Sequence, residues 1–276
     1  MKLIKFLVFG AAICTVISCK ELPRNEKLIS KNAINTNSIK YEENKSFDTD
    51  FTALVKDFDT WYSYTYYNVI LSSDFIGLDE DLKEIDKKIF LEKLVQGNVV
   101  AYKTKILQGK SVYQLFKLKT NEASIKNTSA QMAATALEHF MMEGKEISDF
   151  YFKDLEGKIY TKENTKGKTL VLKCWFIHCV TCVGEFPALN KMVEKYNNNS
   201  NVLFVSLAMD SKAELSKFLQ TKEFKYATIP EMKNFMVDKL RITQYPTHLL
   251  IDKNSKIIKV VNKMEELEPF LEKQMK

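Results

Sequence analysis

The feature that most constrains this chain is a pair of cysteines, Cys179 and Cys182, at the junction of a strand and a helix. The apolar run TLVLKCWFI (169–177) predicts a central strand, and CVGEFPALNKMVEKY (182–196) predicts a helix that begins at the second cysteine. A helix N-terminus presents unpaired N–H groups and partial positive charge, which stabilise a thiolate. The pattern therefore predicts a dithiol whose first sulfur attacks and whose second sulfur resolves the mixed disulfide.

A pair of this spacing is also half of a structural zinc site. The chain has no second CxxC pair, and His139, His178 and His248 are not spaced as in a zinc finger. Cu(I) ligation by Cys179, Cys182 and either His178 or His248 is an alternative that the sequence leaves open. Metal content after anaerobic purification would separate the two hypotheses.

The segments around the pair predict an α/β sheet layered by helices from about residue 146 onward. A capping box, Ser211 with Glu214, opens one of these helices. The predicted elements are a hairpin in ISDFYFKDLEGKIYT, strands in NVLFVSLAM, YATIP, PTHLLID and KIIKVV, and helices in AELSKFLQTK, EMKNFMVDKL and MEELEPFLEKQ.

The residues around the pair resemble the active-site helix of the TlpA-like thioredoxins, the exported branch of the thioredoxin superfamily. In that pattern a tryptophan stands four residues before the first cysteine, as Trp175 does. A glutamate stands three residues after the second cysteine, then an apolar residue and a proline, as in Glu185-Phe186-Pro187. Residues 244–252, QYPTHLLID, are similar to the YPT…LID segment of the family. The resemblance covers about residues 146–276 and implies a thioredoxin-like fold, a central mixed sheet flanked by helices.

The resemblance implies a thiol-disulfide oxidoreductase. Cys179 would attack, Cys182 would resolve, and the disulfide between them would be the only redox group, with no metal or other cofactor. Its partners would be protein disulfides and dithiols, and a membrane electron donor would feed it. Exported members of the family act more often as reductants, and we expect that direction here.

The resemblance also assigns a substrate site. Pro246 would adopt the cis form, uncommon enough to imply a specific role, and would face the disulfide. It would form a groove for the substrate chain with Tyr245, Thr247 and Trp175. For Glu185 two hypotheses stay open, proton transfer to or from Cys182 and an ordinary first-turn glutamate favoured by the helix dipole.

Five residues depart from the family pattern. Val180-Thr181, between the cysteines, leaves the redox poise open. Lys173 stands where thioredoxins keep a buried acid, and because a buried ammonium is costly it either reaches the surface or lowers the thiol pKa values. Cys174 is either a small buried residue or a third redox thiol. His178 is either a cation that favours the thiolate or a surface residue with no role in the reaction.

The first residues predict export and lipidation. Residues 1–18 have the positive start and short apolar core of a signal peptide, and they end in a lipobox before Cys19. An ordinary secretory signal or an uncleaved anchor is the alternative. Acylated Cys19 would hold the protein on a membrane of a bacterial cell envelope, facing the periplasm, with residues 19–46 as a flexible tether.

Residues 47–145 predict a smaller mixed α/β domain of unknown fold. Gln108-Gly109-Lys110 marks a hairpin, and a later helix has Thr128 or Ser129 as its cap and Gly144 as its stop. The aromatic cluster in residues 61–67 is either core or a peptide-binding surface. The formal charge of +6 comes from scattered lysines without a dense basic run, so nucleic acid is not an expected partner.

Overall fold

The structure is a computed structural model that describes residues 51–118 and 122–275. The predicted signal peptide, the predicted tether and Cys19 lie outside the described residues. All of the described residues belong to one compact unit, 42–276. The boundary near residue 146 between two domains stays a prediction.

Helices and strands alternate along most of the described chain. The helices are α1 (Phe51–Leu54), α2 (Phe58–Asn68), α3 (Lys87–Val95), α4 (Ala123–Met142), α5 (Lys162–Thr165), α6 (Val180–Gly184), α7 (Phe186–Lys195), α8 (Lys212–Leu219) and α9 (Met264–Gln274), with a π-helix at Phe235–Lys239. The strands are β1 (Ile76–Leu78), β2 (Glu84–Ile85), β3 (Val99–Leu107), β4 (Lys110–Lys117), β5 (Tyr151–Lys153), β6 (Ile159–Thr161), β7 (Thr169–Trp175), β8 (Val202–Ala208), β9 (Ala227–Ile229), β10 (Thr247–Ile251) and β11 (Ile257–Val261).

The larger sheet confirms the predicted thioredoxin-like fold of the C-terminal half. Its strand order is β11-β10-β7-β8-β9, with β7 and β8 parallel, β8 and β9 parallel, and β10 antiparallel to both β7 and β11. Every residue of β7 is buried, as its continuous apolar run predicts. The redox pair therefore follows directly from the end of the central strand.

The two faces of β7 pack against different layers, because successive side chains of a strand point to opposite sides. Leu170 and Leu172 join the core that contains Phe152 and Met236. Val171 joins the core that contains Leu189 of α7 and residues of α9. Lys173 lies two residues after Val171 on the same strand, so its long side chain points to the same side, toward α7.

The smaller sheet belongs to the N-terminal region and has the order β2-β1-β4-β3. The predicted hairpin is β3 and β4, and Gln108 and Gly109 have φ of +50° and +75° at its turn. Positive φ at both central residues gives the twist that a two-residue hairpin needs. The predicted start of α4 at Thr128 or Ser129 is wrong, because the helix begins at Ala123 and buries Ile125 in the core around Trp61.

The active-site helix also differs from its prediction. It begins at Val180, with Cys179 as the N-cap, and it is interrupted at Glu185 between α6 and α7. Pro187 lacks an N–H, and its ring crowds the carbonyl of Val183, which favours a kink or a break at this point. The break turns the Glu185 side chain toward the sheet.

Candidate redox site

Cys179 and Cys182 form a disulfide, with their Cα atoms 5.2 Å apart. Cys179 is 9% exposed and Cys182 is 0% exposed. The backbone N–H of Cys182 donates a hydrogen bond of 3.2 Å to Sγ of Cys179. Of the two cysteines, Cys179 keeps a small exposed fraction and Cys182 keeps none, and an N–H already points at Sγ of Cys179.

Trp175 lies behind the disulfide and does not line a surface. Its side chain is completely buried in a cluster with both cysteines, and its ring packs edge-on against Phe186 at 5.0 Å. The structure thus corrects the predicted placement of Trp175 in a substrate groove, because no part of the indole is accessible. The ring supports the two cysteines from the inside.

The predicted proline loop packs against the same cluster. The Tyr245–Pro246 peptide bond is cis, and the half-buried Tyr245 ring meets Phe176 edge-on at 5.6 Å. Pro246 and Thr247 are buried, so Tyr245 is the more accessible of the predicted groove residues. Asn262 holds the loop from the end of β11, because its Nδ2 donates to the carbonyl of Pro246 at 2.8 Å and to Oγ1 of Thr247 at 3.0 Å.

A buried group of three charged or titratable residues lies on the α7 side of β7. The Lys173 ammonium pairs with Oε2 of Glu185, and the same oxygen is 3.1 Å from Nε2 of His248. The N–H of Met264, at the start of α9, donates to Oε1 of Glu185 at 3.3 Å. Lys173 is 0% exposed, so the hypothesis that it reaches the surface is wrong.

The pKa values in this group follow from burial and pairing. Burial lowers the pKa of Lys173 and of His248, although Glu185 opposes both shifts. Burial alone would raise the pKa of Glu185, but the hydrogen bond and charge of His248 and the charge of Lys173 lower it to about 2. Glu185 is therefore ionised at neutral pH, and a carboxylate of such low pKa is a weak proton acceptor.

The Glu185 carboxylate should make the free energy of unfolding depend on pH in the acidic range. Its pKa is about 2 in the folded protein and 4.5 as the ordinary value, so the unfolded chain takes up the proton first. The free energy of unfolding should fall as the pH drops from 4.5 to about 2, with up to about 1.4 kcal/mol per pH unit from this group. Urea titrations across this range should show a flatter dependence in Glu185→Gln; equal slopes would contradict the assignment.

Cys174 is a buried free thiol on β7. Burial raises its pKa to about 12, despite the neighbouring Lys173 charge. We expect iodoacetamide at neutral pH to modify Cys179 of the reduced native protein and to leave Cys174 unmodified, since the thiolate is the reactive form. Peptide mass mapping checks this expectation. Modification of Cys174 at the rate of Cys179 without unfolding would contradict it.

His178 and His248 have different positions relative to the disulfide. His178 is exposed beside Cys179, whereas His248 is fully buried and engaged with Glu185. Within residues 51–118 and 122–275, no three His, Cys, Asp or Glu side chains are grouped to hold a metal ion. In the same part of the chain, no helix has the length and apolar character to cross a membrane.

Sequence reasoning missed the contact between His248 and Glu185 and the anchoring role of Asn262. Glu185 lies at the border of α6 and α7, and His248 lies 63 positions later on β10. No local spacing signals such a pair. The register of β10 against β7, which places His248 opposite Lys173, brings them together.

Comparison with known proteins agrees with this geometry. Residues 144–260 match the AhpC/TSA family. The thiol-disulfide oxidoreductase ResA of a Bacillus cereus strain is 28% identical over 136 residues, which are 48% of this chain and 79% of that protein. The thioredoxin-like protein YneN of Bacillus subtilis is 27% identical over 119 residues, which are 42% of this chain and 69% of that protein.

Among solved structures, the thioredoxin domain of a thiol-disulfide oxidoreductase from Bacteroides vulgatus is 20% identical, with a TM-score of 0.43, and the match covers 48% of this chain and 96% of that one. Over about half of its length, in its C-terminal part, the chain is similar to the AhpC/TSA family and to ResA thiol-disulfide oxidoreductases.

Proposed function

We propose that this chain reduces disulfides in client proteins, working on the periplasmic side of a membrane to which acylated Cys19 anchors it. The accessibility of Cys179 next to the fully buried Cys182 is the observation that carries the redox part of the proposal. The export and anchor rest on the N-terminal sequence, and the reducing direction rests on the resemblance to TlpA-like proteins.

In the proposed reaction the reduced Cys179 thiolate attacks one sulfur of a client disulfide. A mixed disulfide forms, and the other client sulfur leaves as a thiolate that takes up a proton. Cys182 then attacks Sγ of Cys179, which releases the second client thiol and restores the disulfide. Two electrons pass to the client, and a membrane dithiol donor would return them. The Cys182 N–H that points at Sγ of Cys179 would stabilise its thiolate.

The substrate chain would lie against Tyr245 and Pro246. Tyr245 is half-buried and packs against the cluster that contains both cysteines, so a bound chain there would be next to Cys179. Thr247 is buried, and its hydroxyl donates to the carbonyl of Gln244 at 2.7 Å, which supports a positioning role in the loop. The low pKa of Glu185 supports balancing the charge of Lys173 more than it supports proton transfer.

The first test is a redox titration of the full chain in detergent. The protein is equilibrated in graded dithiothreitol or glutathione buffers, and alkylated thiols are counted by mass. We expect one two-electron transition confined to Cys179 and Cys182, at a low potential if the protein is a reductant. A high potential would reverse the proposed direction. No reversible transition at any poise would refute the redox function, and metal content would then test Cu(I) binding.

A peroxide assay tests whether this protein is instead a peroxidase, a class of enzyme that shares the AhpC/TSA name. Phe176 stands three residues before Cys179, where peroxidases of this fold place a threonine. A phenyl ring has no hydroxyl with which to hold a peroxide. We therefore expect no catalytic consumption of hydrogen peroxide by the reduced protein.

A further inference from the structure

A cavity of about 380 Å³ lies between the N-terminal helices and the edge of the larger sheet. Its walls come from α2, α4, the end of β11 and the start of α9, and it includes Gln244, the residue before Tyr245. This volume falls in the range of sites that take a large side chain or a small ligand. Neither the disulfide nor the Lys173 group lines it.

Part of the cavity lining is aromatic and apolar. Tyr62 and Tyr66 of α2 are 41% and 44% exposed and line one side, and Met132 and Phe140 of α4 line another. The Tyr62 and Tyr66 rings are 6.3 Å apart, and Tyr62 stacks on Phe58 at 5.5 Å. These rings form a continuous rim on α2, and each offers an apolar face and a polar tip to an occupant.

The charged groups of the cavity already have partners. Lys87 donates to the carbonyls of Ser72 and Ser73 at 3.2 and 2.8 Å, and the hydroxyl of Ser72 donates to Glu266 at 2.5 Å. Glu143 pairs with Lys259 at 3.1 Å. The Lys263 ammonium lies 3.5 Å from the centre of the Tyr66 ring. An occupant therefore needs no net charge.

The cavity is connected to the redox site through one short segment. Asn262 lines the cavity and also donates to Pro246 and Thr247 of the proline loop. Two residues on, the N–H of Met264 donates to Glu185. A chain that follows the proline loop past Gln244 would therefore reach the cavity.

We propose that this cavity binds an uncharged aromatic side chain of the client protein, close in sequence to the client's reactive cysteine. The inference rests on the proposed function and assigns the N-terminal region a role in selecting clients. The aromatic rim and the paired charges favour a neutral aromatic group. The shared Gln244 and Asn262 place that group on the same peptide as the cysteine that Cys179 attacks.

The test uses synthetic peptides that contain an internal disulfide between two cysteines. One phenylalanine is moved along both sides of the cysteine pair, and matched peptides carry serine or glutamate at the same position. The full chain is first reduced and freed of reductant, and the second-order rate constant of its single-turnover oxidation by each peptide is taken as kcat/KM. Glutathione disulfide serves as a comparison substrate that has no aromatic side chain. We expect one phenylalanine position to raise kcat/KM about tenfold over serine, and glutamate to give no gain.

Two variants alter the cavity in opposite ways, one by filling it and one by removing its aromatic rim. Ala136→Phe fills it from α4, and the double variant Tyr62→Ala/Tyr66→Ala removes exposed rings that the core does not need. Both should lose the phenylalanine preference and keep the rate with glutathione disulfide. Controls are Glu138→Phe, which places the same ring on the exposed side of α4, and Tyr67→Ala at a 75% exposed position. Both controls should keep the preference.

Three outcomes would overturn the inference. The wild type could show no preference for phenylalanine, the preference could persist when the cavity is filled, or the cavity variants could instead abolish a self-association of the chain measured by light scattering. Failure to reduce every disulfide offered, peptides and glutathione disulfide alike, would refute the proposed function. Reduction of the peptides without a preference for phenylalanine would refute only the role of the cavity.

Discussion

A Cys182→Ser variant will accumulate a mixed disulfide between Cys179 and its client, whereas a Cys179→Ser variant will form none. Cys179 keeps an exposed fraction of 9% and Cys182 keeps none, so we expect a client cysteine to be joined to the first sulfur. Removing either thiol interrupts the two-step exchange, and turnover should fall by at least about a thousandfold in both variants. Non-reducing mass spectrometry after incubation with a disulfide client identifies the linked cysteine.

Cys174→Ser is the matched control for this experiment. Its thiol is buried and its pKa is raised to about 12, so turnover should be nearly unchanged in a variant that still folds. A client linked to Cys182 in the Cys179→Ser variant would contradict the assigned order of the two thiols. A large loss in Cys174→Ser, with native stability, would make Cys174 a third redox thiol.

Lys173→Met will lower the free energy of unfolding by about 3 kcal/mol. The substitution removes the cation from a fully buried ion pair and leaves the Glu185 carboxylate with His248 and a backbone N–H. Breaking one side of a buried pair is costly because the remaining charge is desolvated and poorly compensated. Adding Glu185→Gln to this variant should recover part of the loss, since no buried charge then remains.

Lys195→Met is the control at the surface. Lys195 pairs with Glu268 and Glu272 at 2.9 and 2.6 Å, but its side chain is 45% exposed. Exposed pairs contribute little, so this substitution should cost less than about 1 kcal/mol. Urea unfolding of the three variants measures the comparison. Equal losses for Lys173→Met and Lys195→Met would show that Lys173 is not held as a buried charge.

The redox pair could be predicted from local sequence. An apolar strand leads into a cysteine pair at the start of a helix. This arrangement can be predicted because it depends only on neighbouring residues. The proline loop could be predicted as well, because its motif stands at the expected separation and on a strand. The same holds for the capping box of Ser211 and Glu214, whose two hydrogen bonds lie within one helical turn.

Other features depended on contacts between distant segments. The start of α4 follows the burial of Ile125 against the N-terminal sheet, which a cap signal at Thr128 or Ser129 does not report. Trp175 fits the family motif, yet the packing of Phe186 and α8 around it closes it off from solvent. Burial is a property of the assembled layers, so a motif position alone does not decide it.

The sequence by itself therefore determined the kind of chemistry, which is that of a cysteine pair at a helix start. The strand, the start of the helix and the cysteine spacing all depend on interactions between residues that are close in the chain. Only the tertiary structure decided the environment of that chemistry. It placed Lys173 of β7, Glu185 at the break before α7 and His248 of β10 in one buried group, and it formed the cavity beside the proline loop. Electrostatic pairing and cavity shape depend on strand register and layer packing, which join residues far apart in the chain.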